Sequence, residues 1–432
     1  MSKLQQPWLW PLLALALVAC GSKSPLRIPH FDEDAGTFDA GMDAGVDAGV
    51  DAGLDAGPDA GPMPDECIEL PFRDPPSELR VSFTARILTA DVFFLVDVTG
   101  SMSEEIDQIR TQLREEIIPG LAAEIPDIRF GVGHFADFDE GDFGSDGDQV
   151  FRLLQSSTAD VGAVQRAVDR LPLQGGLDFP EAMVQALYLT ATGQGHGRFV
   201  PASSCPDGTL GYPCFRSDGS RIILAFTDAP THNGPGGSEP YFGVRPRPHT
   251  YEEAVDALRD IGAKVLGLHS GSMGFEGGGR ADLEALARDT GAVRPDGTPV
   301  VFDIGTDGSF LSDSVVEAVR TLVDEVPIGD VSVRIEDHAG DDVDTELFVD
   351  EVVALSATPP DGAVNLGDRF ADVRPGTRLT FQILLRNDEI PQTDEPQSFL
   401  MNVVLLGDEV TRLQETLVQI VVPARGGGVV CP

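Results

Sequence analysis

From about residue 91 to residue 326 the chain alternates short apolar runs with amphipathic stretches of helical period, and that alternation leaves few folds open. Val92-Phe93-Phe94-Leu95-Val96 is continuously apolar, as a strand covered on both faces must be. A stretch of period 3.6 follows over 104–118, with Ile106, Ile109, Leu113, Ile117 and Ile118 on one face. Strands are then expected at 128–135 and 150–154, helices at 159–171 and 180–192, and a strand at 222–226. Helix 251–261, strand 264–268, helix 281–290, a short strand near 300–302 and helix 309–326 complete the series. Crossover helices between strands of one sheet require those strands to be parallel and covered on both faces. The expected class is therefore α/β, a doubly wound, mostly parallel sheet. In such sheets ligands bind at the carboxyl ends of the central strands, where the strand order reverses.

After Ile328 the pattern changes to period 2. Runs at 331–335, 351–355, 378–385, 399–406 and 415–422 are separated by turn clusters such as Pro359-Pro360-Asp361-Gly362 and Arg374-Pro375-Gly376-Thr377. They predict a small antiparallel β-sandwich over 327–432. Another strand, over 79–87, precedes the α/β stretch. Residues 66–88 are read as the first part of the sandwich, and the domain at 89–326 as an insertion into it. The chain holds five cysteines. With Cys20 set aside for the reason below, an even remainder in an exported protein suggests two disulfides. Four cysteines allow three pairings. Cys205 with Cys214 is the local choice, and Cys67 with Cys431 would then tie the start of the folded part to its end. No CxxC pair or HExxH is present to suggest zinc.

The first twenty residues read as an address. Lys3 begins a charged end, and the apolar run from Trp8 to Ala19 is too short to span a bilayer. Its end, Leu17-Val18-Ala19-Cys20, resembles the lipobox of bacterial lipoproteins. That resemblance implies a signal peptide over 1–19 and a lipid on Cys20, placing the protein in the bacterial cell envelope, at the outer membrane or cell surface. An ordinary secretory signal containing a cysteine is the alternative. Residues 20–65 form a biased tract, with Asp-Ala-Gly-x repeating from Asp39 to Gly61. Glycine and mutually repelling aspartates disfavour a compact state, so the tract is expected to be a spacer. Its random-coil span would be roughly 35–40 Å or more.

Seventy-one acidic residues against 30 basic ones give a formal net charge of −41. Such a surface repels phosphate backbones and argues against nucleic acid as a partner. It suits divalent cations. The first apolar strand runs directly into Asp97-Val98-Thr99-Gly100-Ser101-Met102-Ser103. A carboxylate followed by hydroxyls at alternate positions offers three small oxygen ligands on one turn, as a hard ion wanting about six oxygens requires. Helix capping is the competing reading, because Ser101 with Glu104 also forms a capping-box pattern.

This D-x-T-x-S loop resembles the metal-ion-dependent adhesion site of von Willebrand factor A domains, and specifically the A-type domain of integrin β subunits. Leu177-Asp178-Phe179-Pro180-Glu181 is similar to that family's second loop, and Phe226-Thr227-Asp228-Ala229-Pro230-Thr231-His232 to its third. The resemblance implies Mg²⁺, or Mn²⁺, held by Asp97, Thr99, Ser101, Glu181 and Asp228. It also implies flanking Ca²⁺ sites. One would use Asp137, Asp178, the Pro180 carbonyl and Glu181, with Gly176 standing where the family has asparagine. The other would use Ser101, Glu104 and Glu105, glutamates where the family has aspartates. As acids at a helix start, Glu104 and Glu105 also complement the helix dipole. The acidic stretch Asp137–Asp148 could bind Ca²⁺ but lacks EF-hand spacing and is expected to form a solvated loop, and His232 is expected to pack or to support the site from behind its ligands rather than act as a base.

The implied function is binding rather than catalysis. A protein partner would place a carboxylate on the ion, and the loop 193–220, stapled by Cys205 and Cys214, would border the site and set specificity. Movement of the last helix would couple to ion and ligand geometry. The alternatives are an envelope scaffold that does not use the metal and a metal-assisted hydrolase.

Overall fold

A computed structural model describes residues 63–271, 278–340, 342–427 and 431. The segment 1–19, Cys20 and the tract up to residue 62 lie outside the described residues.

The α/β part is a six-stranded sheet in the order Val301–Asp303, Ala263–His269, Ser220–Thr227, Thr89–Asp97, Asp127–Phe135, Arg152–Thr158. Every neighbouring pair is parallel except the last. Arg152–Thr158 starts two residues later than its expected position and runs antiparallel. No helix separates it from Asp127–Phe135, and a parallel return needs a crossover. From the central strand the chain winds first to one edge, then back across to the other. The strand order therefore reverses at Thr89–Asp97, whose residues after Thr89 are all buried.

The first helix is longer than its apolar pattern suggested. Ser103–Gln112 passes through a wide turn, Leu113–Ile117, into Ile118–Glu124. Pro119 has no N–H to continue the α ladder, and the Ile118 N–H reaches back five residues to Leu113 O just before it. Gly120 lets this segment meet the last helix, Leu311–Asp324, closely. A methyl group there would lie 2.5 Å from Val316 Cγ2.

The remaining strands form two facing sheets. One has the order Glu66–Glu69, Thr411–Val422, Gln397–Gly407, Ile328–Asp337, Phe370–Val373, Val364–Asn365; the other is Val349–Thr358, Arg378–Leu385, Ser77–Thr84. Alternation along Leu79, Val81, Phe83 and along Leu379, Phe381, Ile383, Leu385 buries one face. Phe370 of the first sheet meets Phe381 of the second edge-on at 5.3 Å. Ser77–Thr84 pairs antiparallel with Arg378–Leu385, although the whole α/β stretch lies between them in sequence. Disulfides join Cys67 to Cys431 and Cys205 to Cys214.

The β part docks on the amino ends of the parallel strands. Arg412 N–H donates to Asp218 O at 2.9 Å, and Lys264 pairs with Asp408 at 3.6 Å. The opposite, carboxyl end of the sheet carries the acidic loops.

Candidate metal centre

Asp97 ends the central strand, and its neighbours in register end beside it. Asp137 follows Phe135 by two residues, and Asp228 follows Thr227 by one, so the topology alone brings three carboxylates to one edge. The loop around Glu181 is fastened between those two strand ends. Glu181 N–H donates to Pro230 O, Ala182 N–H to Ala136 O, and His232 N–H to Glu181 O, at 2.8–2.9 Å. Thr231 Oγ1 accepts from Val184 N–H, capping the start of helix Met183–Thr192.

Four of the five residues expected to hold one ion, Asp97, Thr99, Ser101 and Asp228, form one chain of side-chain contacts. Thr99 Oγ1 donates to Asp97 Oδ1 at 2.7 Å, Thr99 and Ser101 hydroxyls lie 3.4 Å apart, and Ser101 Oγ donates to Asp228 Oδ1 at 3.0 Å. Octahedral Mg²⁺ with oxygens at its usual bond length has adjacent ligands about 2.9 Å apart, and the observed spacings bracket that value. Glu181 enters from the second loop. A methyl on Gly176 would stand 3.0 Å from Glu181 Oε1 and 3.6 Å from Thr99 Cγ2, so Gly176, at φ +64°, separates the first and second loops by one backbone. Glu181 Oε2 is buried and without a hydrogen-bond partner. The donor set fits a small hard cation.

Electrostatics point the same way. Burial, reinforced by Asp228, pushes the Asp97 carboxyl up to about 7 despite hydrogen bonds from Thr227 and Thr99. Burial, then Asp97, Asp137 and Asp178, push Glu181 up to about 11. Burial also raises Asp228, Asp178 and Asp137, the last well above the usual carboxylate range. Among the described residues the basic side chain recorded against this group is His232, at 3.2 Å from Asp178 and 3.5 Å from Asp137. Buried carboxylates crowded in this way favour a cation among them.

The implied flanking sites fare differently. Asp137 and Asp178 do converge, with His232 as a third neighbour, while Pro180 lies between Asp178 and Glu181 in the same loop. Of the other pair, Glu104 is exposed, whereas Glu105 is buried with Oε1 2.5 Å from Ser270 Oγ, which also lies 3.0 Å from Gly305 O, so one hydroxyl proton serves both contacts. Glu105 thus ties the first loop to the segment leading into the last helix.

Two loop expectations need correction. The acidic stretch after Asp137 is not simply solvated. Asp148 is buried and accepts N–H groups from Ser145, Gly175 and Gly176, holding the second loop in place. The stapled loop does not border the site at its disulfide. Cys214 Sγ lies 3.9 Å from Ser156 Oγ on the edge strand, and Arg216 pairs with Asp91 and Asp127 near the amino ends of their strands. Only its early residues reach the carboxyl end, where Arg198 pairs with Glu140 at 3.1 Å and Phe199 packs on Phe138.

Sequence reasoning missed the roles of Asp148, Ser270 and Tyr241 and the contacts of His232 with Asp137 and Asp178, because the partners lie far apart in sequence. Thr227 was visible as part of the third loop, but not its role. Its hydroxyl donates to Asp97 Oδ2 at 2.7 Å and accepts from Ala229 N–H at 3.1 Å.

No family model matches the chain, and no curated protein sequence matches it. Solved structures do. A von Willebrand factor type A protein from Catenulispora acidiphila aligns at TM-score 0.39 and 15% identity, over 83% of this chain and 72% of that one. Proximal thread matrix protein 1 from the mussel byssus aligns at TM-score 0.33 and 13% identity, over 59% of this chain and 51% of its own. The pilus adhesin SpaC from Lactobacillus rhamnosus GG aligns at TM-score 0.33 and 10% identity, over 81% of this chain and 45% of its own. The sheet itself is doubly wound, with the acidic loops at its carboxyl edge.

Proposed function

We propose that the protein binds a protein partner through a divalent ion, Mg²⁺ or Mn²⁺, held at Asp97, Thr99, Ser101, Glu181 and Asp228. The observation that carries this reading is the chain of contacts from Asp97 through Thr99 and Ser101 to Asp228 at 2.7–3.4 Å, beside Glu181, whose buried Oε2 lacks a hydrogen-bond partner. Five protein ligands leave the sixth octahedral position of such an ion open, and a carboxylate from outside would complete its shell. Leu173, Leu177 and Phe179, exposed on the second loop, offer apolar contact around such an acidic anchor. We read the protein as a binding module of the A-type, integrin β-like kind and not as an enzyme.

The envelope setting belongs to the same proposal. Cys20 would carry lipid and the Asp-Ala-Gly tract would hold the domains away from the membrane. Two disulfides fit an oxidising compartment. Calorimetry with Mg²⁺ tests the site: Glu181→Ala and Asp228→Ala should each lose measurable binding, and unchanged affinity in either would remove the assignment. A pull-down from envelope extract should lose its partner in EDTA and regain it with Mg²⁺. Capture indifferent to EDTA would favour a metal-independent scaffold.

A further inference from the structure

Beside the first site lies a second group with a different donor chemistry. One ligand atom from each of Asp137, Asp178 and His232 falls within 4.8 Å of the others. His232 Nδ1 lies 2.8 Å from Glu239 O, a carbonyl that can only accept, so Nδ1 carries the proton. In the neutral ring that leaves a lone pair on Nε2, which faces Asp178 Oδ2 at 3.2 Å and Asp137 Oδ2 at 3.5 Å. Asp137 is oriented in the same manner. Its Oδ1 accepts from Tyr241 Oη at 2.6 Å and from Phe138 N–H, which leaves Oδ2 free. His232 Nε2 and Asp137 Oδ2 are both fully enclosed and have no hydrogen-bond partner.

We propose that Asp137, Asp178 and His232 form a separate site for a borderline transition-metal ion of the Zn²⁺ class. A lone pair facing carboxylate oxygens is repulsive until a cation sits between them. Tetrahedral Zn²⁺, with bonds of about 2.0–2.1 Å to N and O, has ligand edges of about 3.3 Å, close to the two distances here. Ca²⁺ takes oxygen ligands and gains little from imidazole, whereas imidazole suits Zn²⁺ and its neighbours. The contacts from Glu239 O, Tyr241 and Phe138 are the outer-shell bonds that metal-ligating histidines and carboxylates use to fix tautomer and orientation. Asp178, at the surface, leaves a path for the ion and a fourth ligand. The site implied by resemblance, with Asp137, Asp178, Pro180 and Glu181 around Ca²⁺, thereby changes both a ligand and its ion. Neither depends on Mg²⁺ occupying the first site.

The test uses the full-length protein stripped by chelator, titrated calorimetrically with Zn²⁺ alone and with Ca²⁺ alone, and with Co²⁺ as a visible-absorption probe. One equivalent of Zn²⁺ should bind at least tenfold more tightly than Ca²⁺, and Co²⁺ should give tetrahedral d–d bands. His232→Phe, which keeps a ring against Phe143 and Tyr241, and Asp178→Asn, at an exposed position, should each weaken Zn²⁺ at least 30-fold and abolish those bands. Asp97→Asn should lose Mg²⁺ binding and keep Zn²⁺, which separates failure of this site from failure of the first. Ca²⁺ binding as tightly as Zn²⁺, or equal Zn²⁺ affinity in wild type and His232→Phe, would overturn the proposal. So would ¹⁵N spectra at pH 8 showing His232 protonated on both nitrogens and unmoved by Zn²⁺, since a proton would then be the bridging cation.

Discussion

Thr227→Val replaces one buried hydroxyl with a methyl of nearly equal volume, and its consequence for the ion can be worked from two contacts. The hydroxyl donates to Asp97 Oδ2 at 2.7 Å, and it accepts from the Ala229 N–H one residue past Asp228. Asp97 is fully buried, so no water can replace the lost donor. A hydrogen bond to a charged group contributes about 1.5–3 kcal/mol. Its loss raises the cost of the ionised Asp97 that the metal requires, while the neutral, proton-bearing form is affected less. Mg²⁺ affinity should therefore fall by roughly 10- to 150-fold. The freed Ala229 N–H adds a stability cost of about 1–3 kcal/mol that is present with or without metal. Calorimetry on metal-free protein measures the first effect and thermal melting the second. Thr227→Ser keeps the hydroxyl and should restore affinity to within a few-fold of wild type. If Thr227→Val is folded and binds Mg²⁺ within twofold of wild type, Asp97 is not the ion's carboxylate and the centre is wrongly placed.

Four further outcomes follow from the same geometry. Glu181→Gln should cost roughly 100-fold or more in Mg²⁺ affinity, on the order of 3 kcal/mol for a lost charged ligand, yet melt no lower than wild type in EDTA at pH 8, because its carboxyl is pushed up to about 11. In EDTA, stability should decline as pH rises. Asp97 moves from 3.8 to about 7, so the folded state holds the extra proton, and the stabilisation is full below pH 4 and lost through pH 7. At 1.36 kcal/mol per unit that is about 4 kcal/mol, so Mg²⁺ should raise the melting temperature more at pH 8 than at pH 5; an equal rise at both would contradict the assignment. Gly176→Ala, at φ +64° and 3.0 Å from Glu181 Oε1, should cost about 1–2 kcal/mol in melting experiments and weaken Mg²⁺ as well. Replacing Cys67 and Cys431 by serine should lower stability by about 2–5 kcal/mol while leaving Mg²⁺ affinity as it was, since that bond closes the β part at the other end of the molecule.

What was legible in the sequence divides along a physical line. Periodicity is local, so Val92 to Val96 announced a strand buried on both faces, and alternation at 378–385 announced the matching strand. Residues at strand ends are nearly local too: once Thr89–Asp97 is central and parallel to its neighbours, Asp97, Asp137 and Asp228 come to the same edge of the sheet. Pairings between residues far apart leave no such mark. Asp148 reads as one more acid in an acidic loop, and only its three backbone donors, two of them from Gly175 and Gly176, show that it supports the loop delivering Glu181. His232 reads as a histidine following a threonine. Its role depends on Glu239 O fixing one ring nitrogen and Tyr241 fixing the far oxygen of Asp137. The stapled loop 193–220 misled for a related reason. Its disulfide gives closure but no direction, and Arg216 pulls its end toward Asp91 and Asp127, away from the carboxyl edge. For the partner proposed above, the side chains exposed at that edge are Leu173, Leu177 and Phe179 on the second loop, with Arg198 beside the acidic loop. A chain that changed Arg198 alone should alter partner choice, whereas reducing Cys205–Cys214 should alter stability first.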